Sequence, residues 1–292
     1  MKNVRNNIIK KIQLLIVNCT LLIFLFSCSS PNNEVASPDG KIRLSFNIDD
    51  EGFMYYDVKV NDSVFIDSSL LGFEAKNGIN LKNSFEITKT EFTSEDETWT
   101  QIWGENKTIR NNYNEMAVHL ENEDSIFLVM RFRLFNDGLG FRYEYKVTDI
   151  DSVIITDELT SFNIKENGTS WSIPADFDSY EHLYRALPIN EIEDANTPFT
   201  FMTEGGIYAS IHEAALIDFP EMTLGLRQSK DKSLKSKVTE NQSSMFKAQS
   251  SKFKVQLAPY PDKKTKAIFT AASQSLTFKT PWRTIQISDK AV

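Results

Sequence analysis

The 292-residue sequence has few of the side chains on which many catalytic centres depend. Its two cysteines are Cys19 and Cys28, and its three histidines are His119, His182 and His212. It contains no HExxH, no Gly-rich phosphate loop and no GxSxG motif. If Cys19 is removed with a signal segment and Cys28 is lipidated, no thiol remains, which excludes disulfides, a cysteine nucleophile and a cysteine metal site.

The longest apolar run covers residues 12–26 and is too short for a membrane span of about 20 residues. Residues 1–11 carry four basic and no acidic side chains, which is the pattern of a secretory signal. The run ends in "LFSCSS", which resembles the lipobox of bacterial lipoproteins because a leucine stands three residues before a cysteine. The segment therefore predicts a signal peptide over 1–27, a lipid anchor at Cys28 and a polar tether over 28–36. The alternative is an ordinary signal with a chance cysteine.

Positive charge is scarce in the remainder. Residues 1–27 hold four of the 32 basic residues and none of the 40 acidic ones, so the mature chain has 28 against 40 and a net charge of −12. An acidic surface repels phosphate backbones, so nucleic acid is not expected as a partner. The predicted protein is an exported lipoprotein, periplasmic or at the cell surface, that touches the membrane through its anchor.

What the mature sequence does contain is alternation of apolar and polar residues. "GFRYEYKV", at 140–147, places four apolar side chains on one face: Phe141, Tyr143, Tyr145 and Val147. Similar segments cover 41–48, 56–61, 115–120, 125–135 and 251–257. This period is typical of half-buried antiparallel strands, and no segment shows a convincing helical stripe. With 41% hydrophobic and 12% aromatic residues, the pattern predicts an all-β protein, a large sandwich of two sheets.

The run "GIYASIHEAAL", at 206–216, ends in a histidine and a carboxylate. If its alternation continues, Glu213 lies on the apolar face with Ile207, Ala209 and Ile211, and His212 lies on the other. A charge on an apolar face is costly unless something compensates it, so Glu213 requires a partner.

Aromatic and acidic residues are interleaved over 171–213. This mixture suits sugar binding, in which rings stack on pyranose faces and carboxylates accept hydrogen bonds from sugar hydroxyls. It also suits calcium, which takes several oxygen ligands. The alternative is an irregular connection whose aromatic side chains cover the edge of the sandwich.

Six segments in order resemble the amino-terminal domain of glycoside hydrolase family 97. They are "WGENKTIRNNYNE", "FRLFNDGLGFRYEY", "WSIPADFDSYEHLY", "ANTPFTF", "IYASIHEAALIDFPEMTL" and "TPWRTIQISD". The resemblance implies a β-super-sandwich of the galactose-mutarotase type over 37–280, with 281–292 as the start of a linker to a catalytic (β/α)₈ barrel that this chain lacks. It also implies a calcium-dependent enzyme that acts on α-glucosides or α-galactosides.

The same resemblance implies the roles of individual residues. We expect Glu191 to supply one calcium ligand, with Glu181 as the second candidate and Glu213 as the third. We expect His212, Glu213 and Ala214 to contact an α-linked oligosaccharide, with the partners of Glu213 coming from sugar hydroxyls or from the barrel. The resemblance places no catalytic residue in this domain, so the chain alone is expected to be inactive, because glycoside hydrolysis requires two carboxyl groups flanking the bond.

Two other functions remain open. The chain could be a free-standing carbohydrate-binding surface lipoprotein, or a structural domain without a ligand. An exposed apolar patch where the barrel docks would favour the hypothesis that the chain is part of an enzyme. In a free-standing domain, selection would remove such a patch.

Overall fold

A computed structural model describes residues 33–76, 78–226, 251–271 and 275–291. The predicted signal peptide, the anchor at Cys28 and most of the predicted tether lie outside these residues. No helix in the described part of the chain is long and apolar enough to cross a membrane.

The described residues form twenty-two strands. In chain order these are β1 (Glu34–Ala36), β2 (Ile42–Ile48), β3 (Met54–Val60), β4 (Ser63–Leu70), β5 (Phe73–Ala75), β6 (Asn80–Leu81), β7 (Phe85–Thr100), β8 (Thr108–Asn122), β9 (Phe127–Phe135), β10 (Gly138–Thr148), β11 (Ser152–Glu158), β12 (Ser161–Ile164), β13 (Gly168–Ser172), β14 (Arg185–Pro188), β15 (Asp194–Asn196), β16 (Phe199–Thr203), β17 (Tyr208–Ala214), β18 (Met222–Leu226), β19 (Ser251–Leu257), β20 (Ala267–Thr270), β21 (Ser275–Lys279) and β22 (Trp282–Ser288). One 3₁₀ turn, Ile189–Glu191, follows β14.

The strands form three sheets whose paired strands are antiparallel. An eight-stranded sheet has the order β1-β2-β3-β4-β12-β19-β18-β15. A larger sheet has the order β14-β13-β16-β17-β22-β10-β9-β8-β7, with β21 paired to the far part of β10. A small sheet, β20-β11-β5-β6, completes the fold. The all-β sandwich predicted from the alternation is confirmed.

The core lies between the eight-stranded sheet and the larger sheet. Aromatic rings meet across this space, with centroid distances of 5.7 Å for Phe46–Phe132, 5.0 Å for Tyr56–Phe141 and 5.1 Å for Phe199–Phe253. Each of these side chains is buried, and full burial of a phenylalanine stabilises the fold by about 1.5–3 kcal/mol. The alternating apolar residues of the strands therefore face one shared interior, and the opposite face of the larger sheet is its outer face.

The sandwich extends beyond the predicted boundaries at both ends. Strand β1 lies within residues 28–36, the predicted tether. Strand β22 lies within residues 281–292, the predicted linker, and it pairs with both β17 and β10 in the middle of the larger sheet. The linker prediction is wrong for 282–288, because alternation continues through this segment and buries Arg283, Ile285 and Ile287.

The register of β17 and β22 defines two ends of the larger sheet. Ala214 pairs with Trp282 at one end, and Tyr208 pairs with Ser288 at the other. We call these the Ala214 end and the Ser288 end. The pairing of the other strands shows which of their residues lie at each end, and so places the loops that connect them.

Candidate functional site

Glu213 lies near the carboxyl end of β17, on the face predicted from its alternation. Ala209 and Ile211 are buried on this face, and the Glu213 side chain is only 6% exposed. Its Oε2 lies 2.6 Å from Nη1 of Arg283, and its Oε1 accepts a hydrogen bond of 3.0 Å from the backbone N–H of Met222. Both oxygens therefore have a partner within the chain.

Arg283 connects Glu213 to a second buried carboxylate. Its Nε and Nη2 donate to the two oxygens of Glu158 at 3.0 and 2.5 Å, and neither side chain has exposed surface. The guanidinium carbon also lies 5.6 Å from the ring centre of Phe219. Because a bidentate pair of this kind is charge-assisted and fixed in direction, Arg283 links β22 to β11 and β17.

Burial and charge act against each other in this triad. Burial raises the pKa of the Glu213 carboxyl, although the charge of Arg283 opposes the increase. Burial alone would lower the pKa of Arg283, but Glu158 and Glu213 raise it, so the guanidinium remains charged. The triad thus places two carboxylates around one cation in the interior, where they organise the Ala214 end.

His212 and Ala214 face away from the core at the same end. The His212 ring is partly buried, and its Nδ1 lies 3.2 Å from the Thr197 hydroxyl. Burial lowers the pKa of His212, which keeps the imidazole neutral at neutral pH. Ala214 is exposed. Of the three predicted sugar contacts, His212 and Ala214 therefore face outward and Glu213 faces inward.

The loop 173–184 follows β13 and lies at the Ala214 end, because Ser172 and Arg185 pair there. The Asp176 carboxylate accepts the Asp178 N–H at 2.9 Å and lies 2.8 Å from Nε2 of His182. These bonds fold the loop back on itself.

The same loop is tied to the loop 215–221 and presents a carboxylate. The Tyr180 hydroxyl donates to Glu221 at 3.0 Å, and burial together with this bond raises the pKa of Tyr180 to about 12. Glu181 comes directly after Tyr180 and is exposed. Its backbone N–H donates to the Ser179 hydroxyl at 3.0 Å. The structure therefore places the exposed carboxylate of Glu181 at the Ala214 end, where Asp178 and Asp218 in the two loops are also exposed.

Glu191 lies elsewhere. It is exposed in the 3₁₀ turn after β14, and β14 runs from the Ala214 end towards the Ser288 end, pairing Arg185 with Ser172 and Pro188 with Thr169. At about 3.3 Å per residue, this strand separates Glu191 from the loop 173–184 by roughly 10 Å or more. The structure does not bring Glu191 together with His212 and Ala214, and it does place Glu181 at their end of the sheet.

Neither glutamate forms a metal site on its own. Calcium takes 6–8 oxygen ligands. Within the described ranges, no group of three or more His, Cys, Asp or Glu side chains is arranged to hold a metal ion. Glu181 or Glu191 therefore fits a calcium site only as a single ligand, with the other oxygens supplied from outside these residues.

Large apolar side chains are exposed in the two loops at the Ala214 end. We call them the loop patch: Tyr180, Leu183, Tyr184, Leu216 and Ile217. The hydrogen bond from Tyr180 to Glu221 joins the two loops that carry them. Several large apolar side chains exposed at one end of a sheet are typical of a surface that another domain or a ligand covers.

The sequence reading missed Arg283, although its signal was present in the segment "TPWRTIQISD". Arg283 stands at alternate positions with Ile285 and Ile287, so the pattern predicts that its charge lies on the buried face of the strand. Glu213 and Arg283 both stand at apolar positions of an alternating segment, which marks them as complementary charges.

Comparison with known proteins places these features in a family. The family model described as Glycosyl-hydrolase 97 N-terminal matches residues 35–292. A Glycoside Hydrolase Family 97 enzyme from Pseudoalteromonas sp. strain K8, solved in complexes with panose and with acarbose, is 33% identical at a TM-score of 0.73. The match covers 88% of this chain and 36% of that enzyme, so this chain spans about a third of its length.

A more distant structure shares the fold. The crystal structure of a beta-arabinopyranosidase matches at 20% identity and a TM-score of 0.68. The match covers 88% of this chain and 40% of that one.

Proposed function

This chain belongs to glycoside hydrolase family 97, as the amino-terminal domain of an enzyme of that family, and from this premise we propose that it is the non-catalytic, carbohydrate-binding part of a calcium-dependent α-glycosidase. Its substrate is an α-glucoside or an α-galactoside. The catalytic (β/α)₈ barrel completes the pocket and supplies the two carboxyl groups that hydrolysis requires.

The loop patch is the observation that carries this proposal. Exposed Leu183, Tyr184 and Ile217 lie at the same end of the sheet as His212, Ala214 and Glu181. Apolar side chains that surround outward-facing polar groups form the rim of an incomplete pocket. A catalytic domain seated on this rim would cover the apolar surface and leave the polar groups facing the sugar.

Within this function, Glu181 is the best placed of the three candidate glutamates to supply a calcium ligand. It is exposed at the Ala214 end, Glu191 lies towards the other end, and both oxygens of Glu213 are already bound by Arg283 and Met222. The ion would supply positive charge that orients the sugar and stabilises developing negative charge. Its remaining ligands would come from the barrel.

His212 and Ala214 are the proposed sugar contacts, and Glu213 supports them. A neutral imidazole can form a hydrogen bond with a sugar hydroxyl without the desolvation cost of a charge. The Glu213 carboxylate accepts the backbone N–H of Met222, which follows the loop 215–221 directly, so Glu213 positions the end of that loop from its buried side. In this arrangement Glu213 is a positioning residue.

The test combines the whole chain, purified in detergent, with the separately produced barrel portion of a family 97 enzyme. We expect hydrolysis of nitrophenyl α-glucoside or α-galactoside only when both parts and calcium are present. Calcium titration calorimetry should give at least tenfold weaker binding for the assembled pair carrying Glu181→Gln and unchanged binding for the matched control Glu191→Gln. Hydrolysis by the chain alone, or micromolar calcium affinity of the chain alone, would contradict the proposal.

One observation favours a second function, that of a free-standing carbohydrate-binding lipoprotein. On the outer face of the larger sheet, Trp171 and Tyr208 stack at 6.5 Å with an interplanar angle of 8°. Thr200 and Ser210 share a hydrogen bond of 3.1 Å between the strands β16 and β17 nearby, so rings and hydroxyls lie together. A glycan array probed with the whole chain should then show binding that Trp171→Ala abolishes; an array without signal excludes this function.

We propose an exported location with a lipid on Cys28, as the lipobox resemblance implies. Cells expressing the whole chain and fed an alkyne-tagged fatty acid should label it, and Cys28→Ser should remove the label. Equal labelling of the variant would exclude this anchor.

A further inference from the structure

Strands β7 and β8 form a ribbon that is longer than the sheet it belongs to. They pair with each other from Phe85 and Asn122 out to Thr100 and Thr108. The neighbouring strand β9 pairs with β8 only as far as Asn114, opposite Leu134. Residues 95–113 therefore project past the Ser288 end as a two-stranded ribbon, which we call the arm.

The tip of the arm presents apolar side chains to solvent. Ile102 is 94% exposed, Trp103 is 86% exposed, and Trp99 is also exposed. A two-stranded ribbon is marginally stable by itself, and exposing tryptophan on it gains nothing for the isolated domain. Trp and Tyr are the side chains that dominate protein interfaces.

A cleft opens where the arm leaves the sheet. It has a volume of about 410 Å³ and is lined by three apolar side chains, Trp99, Ile109 and Phe135, and by three polar ones, Glu97, Arg110 and Asn111. The ring of Phe135 lies 5.3 Å from Tyr113, the last arm residue. The cleft thus combines apolar and polar side chains, as the contact surfaces of protein interfaces do.

The arm continues into the outer face of the larger sheet. The guanidinium of Arg133 lies 4.5 Å from the ring centre of Tyr113 and 4.9 Å from that of Trp282. The guanidinium of Arg142 lies 4.5 Å from the ring centre of Trp282. Trp282 pairs with Ala214, at the end that carries the loop patch. One row of aromatic and arginine side chains therefore connects the arm with the proposed site.

The arm leaves the sheet at the same end at which β22 ends, with β10 and β9 between them. The Ile287 N–H donates at 2.8 Å to the carbonyl of Asp137, in the turn between β9 and β10. Phe135, which lines the cleft, precedes Asp137 by two residues. A polypeptide that continues beyond β22 emerges next to the cleft, and this chain spans only 36% of the Pseudoalteromonas enzyme.

We propose that the arm is a clamp for the catalytic domain of the family 97 enzyme, holding it through Trp99, Ile102 and Trp103 against the outer face of the larger sheet. The proposal rests on the proposed function. The position of the chain exit favours the domain that follows β22 as the occupant over a second copy of this chain, because a linked domain is held at high local concentration beside the cleft.

The experiment measures binding of the whole chain, in detergent, to the separately produced catalytic portion of the Pseudoalteromonas enzyme. The test variant is Ile102→Ser with Trp103→Ser, whose side chains are exposed and contribute little to the fold. The matched control is Ile268→Ser, an exposed apolar residue on β20 of the small sheet. We expect at least tenfold weaker binding for the test variant, unchanged binding for the control, and wild-type thermal unfolding for both.

Cross-linking provides a second test that does not depend on the folding of the double variant. A photoreactive amino acid at position 103 should cross-link to the catalytic portion, and the same group at position 268 should not. Wild-type affinity of the double variant together with no cross-link at 103 overturns the clamp while leaving the proposed function intact. Tip variants that instead abolish self-association of this chain would assign the arm to a second copy, and failure of the wild-type chain to bind any catalytic portion would overturn both proposals.

Discussion

Arg283 and Glu213 are opposite each other on neighbouring strands β22 and β17, and their side chains meet at 2.6 Å inside the sandwich. The pair is 70 residues apart in the chain and is closed by Glu158 from the small sheet. Taking such charges out of water is costly, and the cost is offset only when every charge has a well-oriented partner. The geometry of the Ala214 end, where the proposed site lies, thus depends on one guanidinium.

Replacing Arg283 with methionine leaves two buried carboxylates without a cation. We expect Arg283→Met to lower the free energy of unfolding by about 3–5 kcal/mol. The control Arg43→Met removes an arginine whose side chain is 44% exposed and should cost about 1 kcal/mol or less. Urea unfolding followed by circular dichroism measures both, and equal losses would show that the buried triad is not essential.

The two carboxylates of the triad contribute unequally. Glu158 accepts two hydrogen bonds from Arg283, whereas Glu213 accepts one from Arg283 and one from the backbone of Met222. Glu213→Gln keeps an acceptor for Met222, so we expect Glu158→Gln to destabilise the protein more, by about 1 kcal/mol or more. Chemical unfolding of both variants gives the order; a more destabilising Glu213→Gln would reverse this assignment.

His212 should make stability depend on pH. Because burial lowers the pKa of its folded-state ring, the unfolded chain takes up a proton first as the pH falls below the ordinary value of about 6.5. The stability that His212 contributes is complete above that pH and decreases as the pH falls towards the folded-state pKa. His212→Gln should therefore lose less stability than wild type between about pH 7.5 and about pH 5.5, as urea midpoints would show.

A matched variant separates titration from the hydrogen bond of the ring. Thr197→Val removes the hydroxyl that lies 3.2 Å from Nδ1 of His212 but keeps the titrating group. It should be less stable at every pH and keep the wild-type change between the two pH values. If His212→Gln also keeps that change, another group is responsible for it.

Gly138 allows β10 and β22 to pair. Its φ is +154°, and an added Cβ would lie 2.3 Å from the carbonyl oxygen of Ile285, a backbone atom that cannot move alone. We expect Gly138→Ala to cost about 2–5 kcal/mol through strain and overpacking. Gly206→Ala, at φ +83° with open space around it, should cost about 1–2 kcal/mol from its backbone conformation only. Thermal unfolding compares them, and equal losses would mean that the pairing of β10 with β22 tolerates the shift.

Local pattern was sufficient for much of the fold. In β10 the sequence alternation matched burial, with Phe141, Tyr143 and Tyr145 inside the sandwich. It also predicted the buried face of Glu213. The boundary at β22 is wrong, although alternation in this segment is as clear as in β10. The family resemblance, and not the alternation, places a linker there. The signal, the anchor and the part of the tether before β1 remain predictions from local sequence.

The sequence by itself determined that the chain is built of half-buried antiparallel strands, and its ordered segments determined the family, because both depend on residues that are close together in the chain. Only the tertiary structure decided that Glu213 meets Arg283, that Glu181 shares an end of the sheet with His212 while Glu191 lies towards the other, and that the arm projects at the Ser288 end. Strand order and register are set by pairing between residues that are distant in sequence, so alternation tells which face a side chain occupies without telling which neighbour it meets.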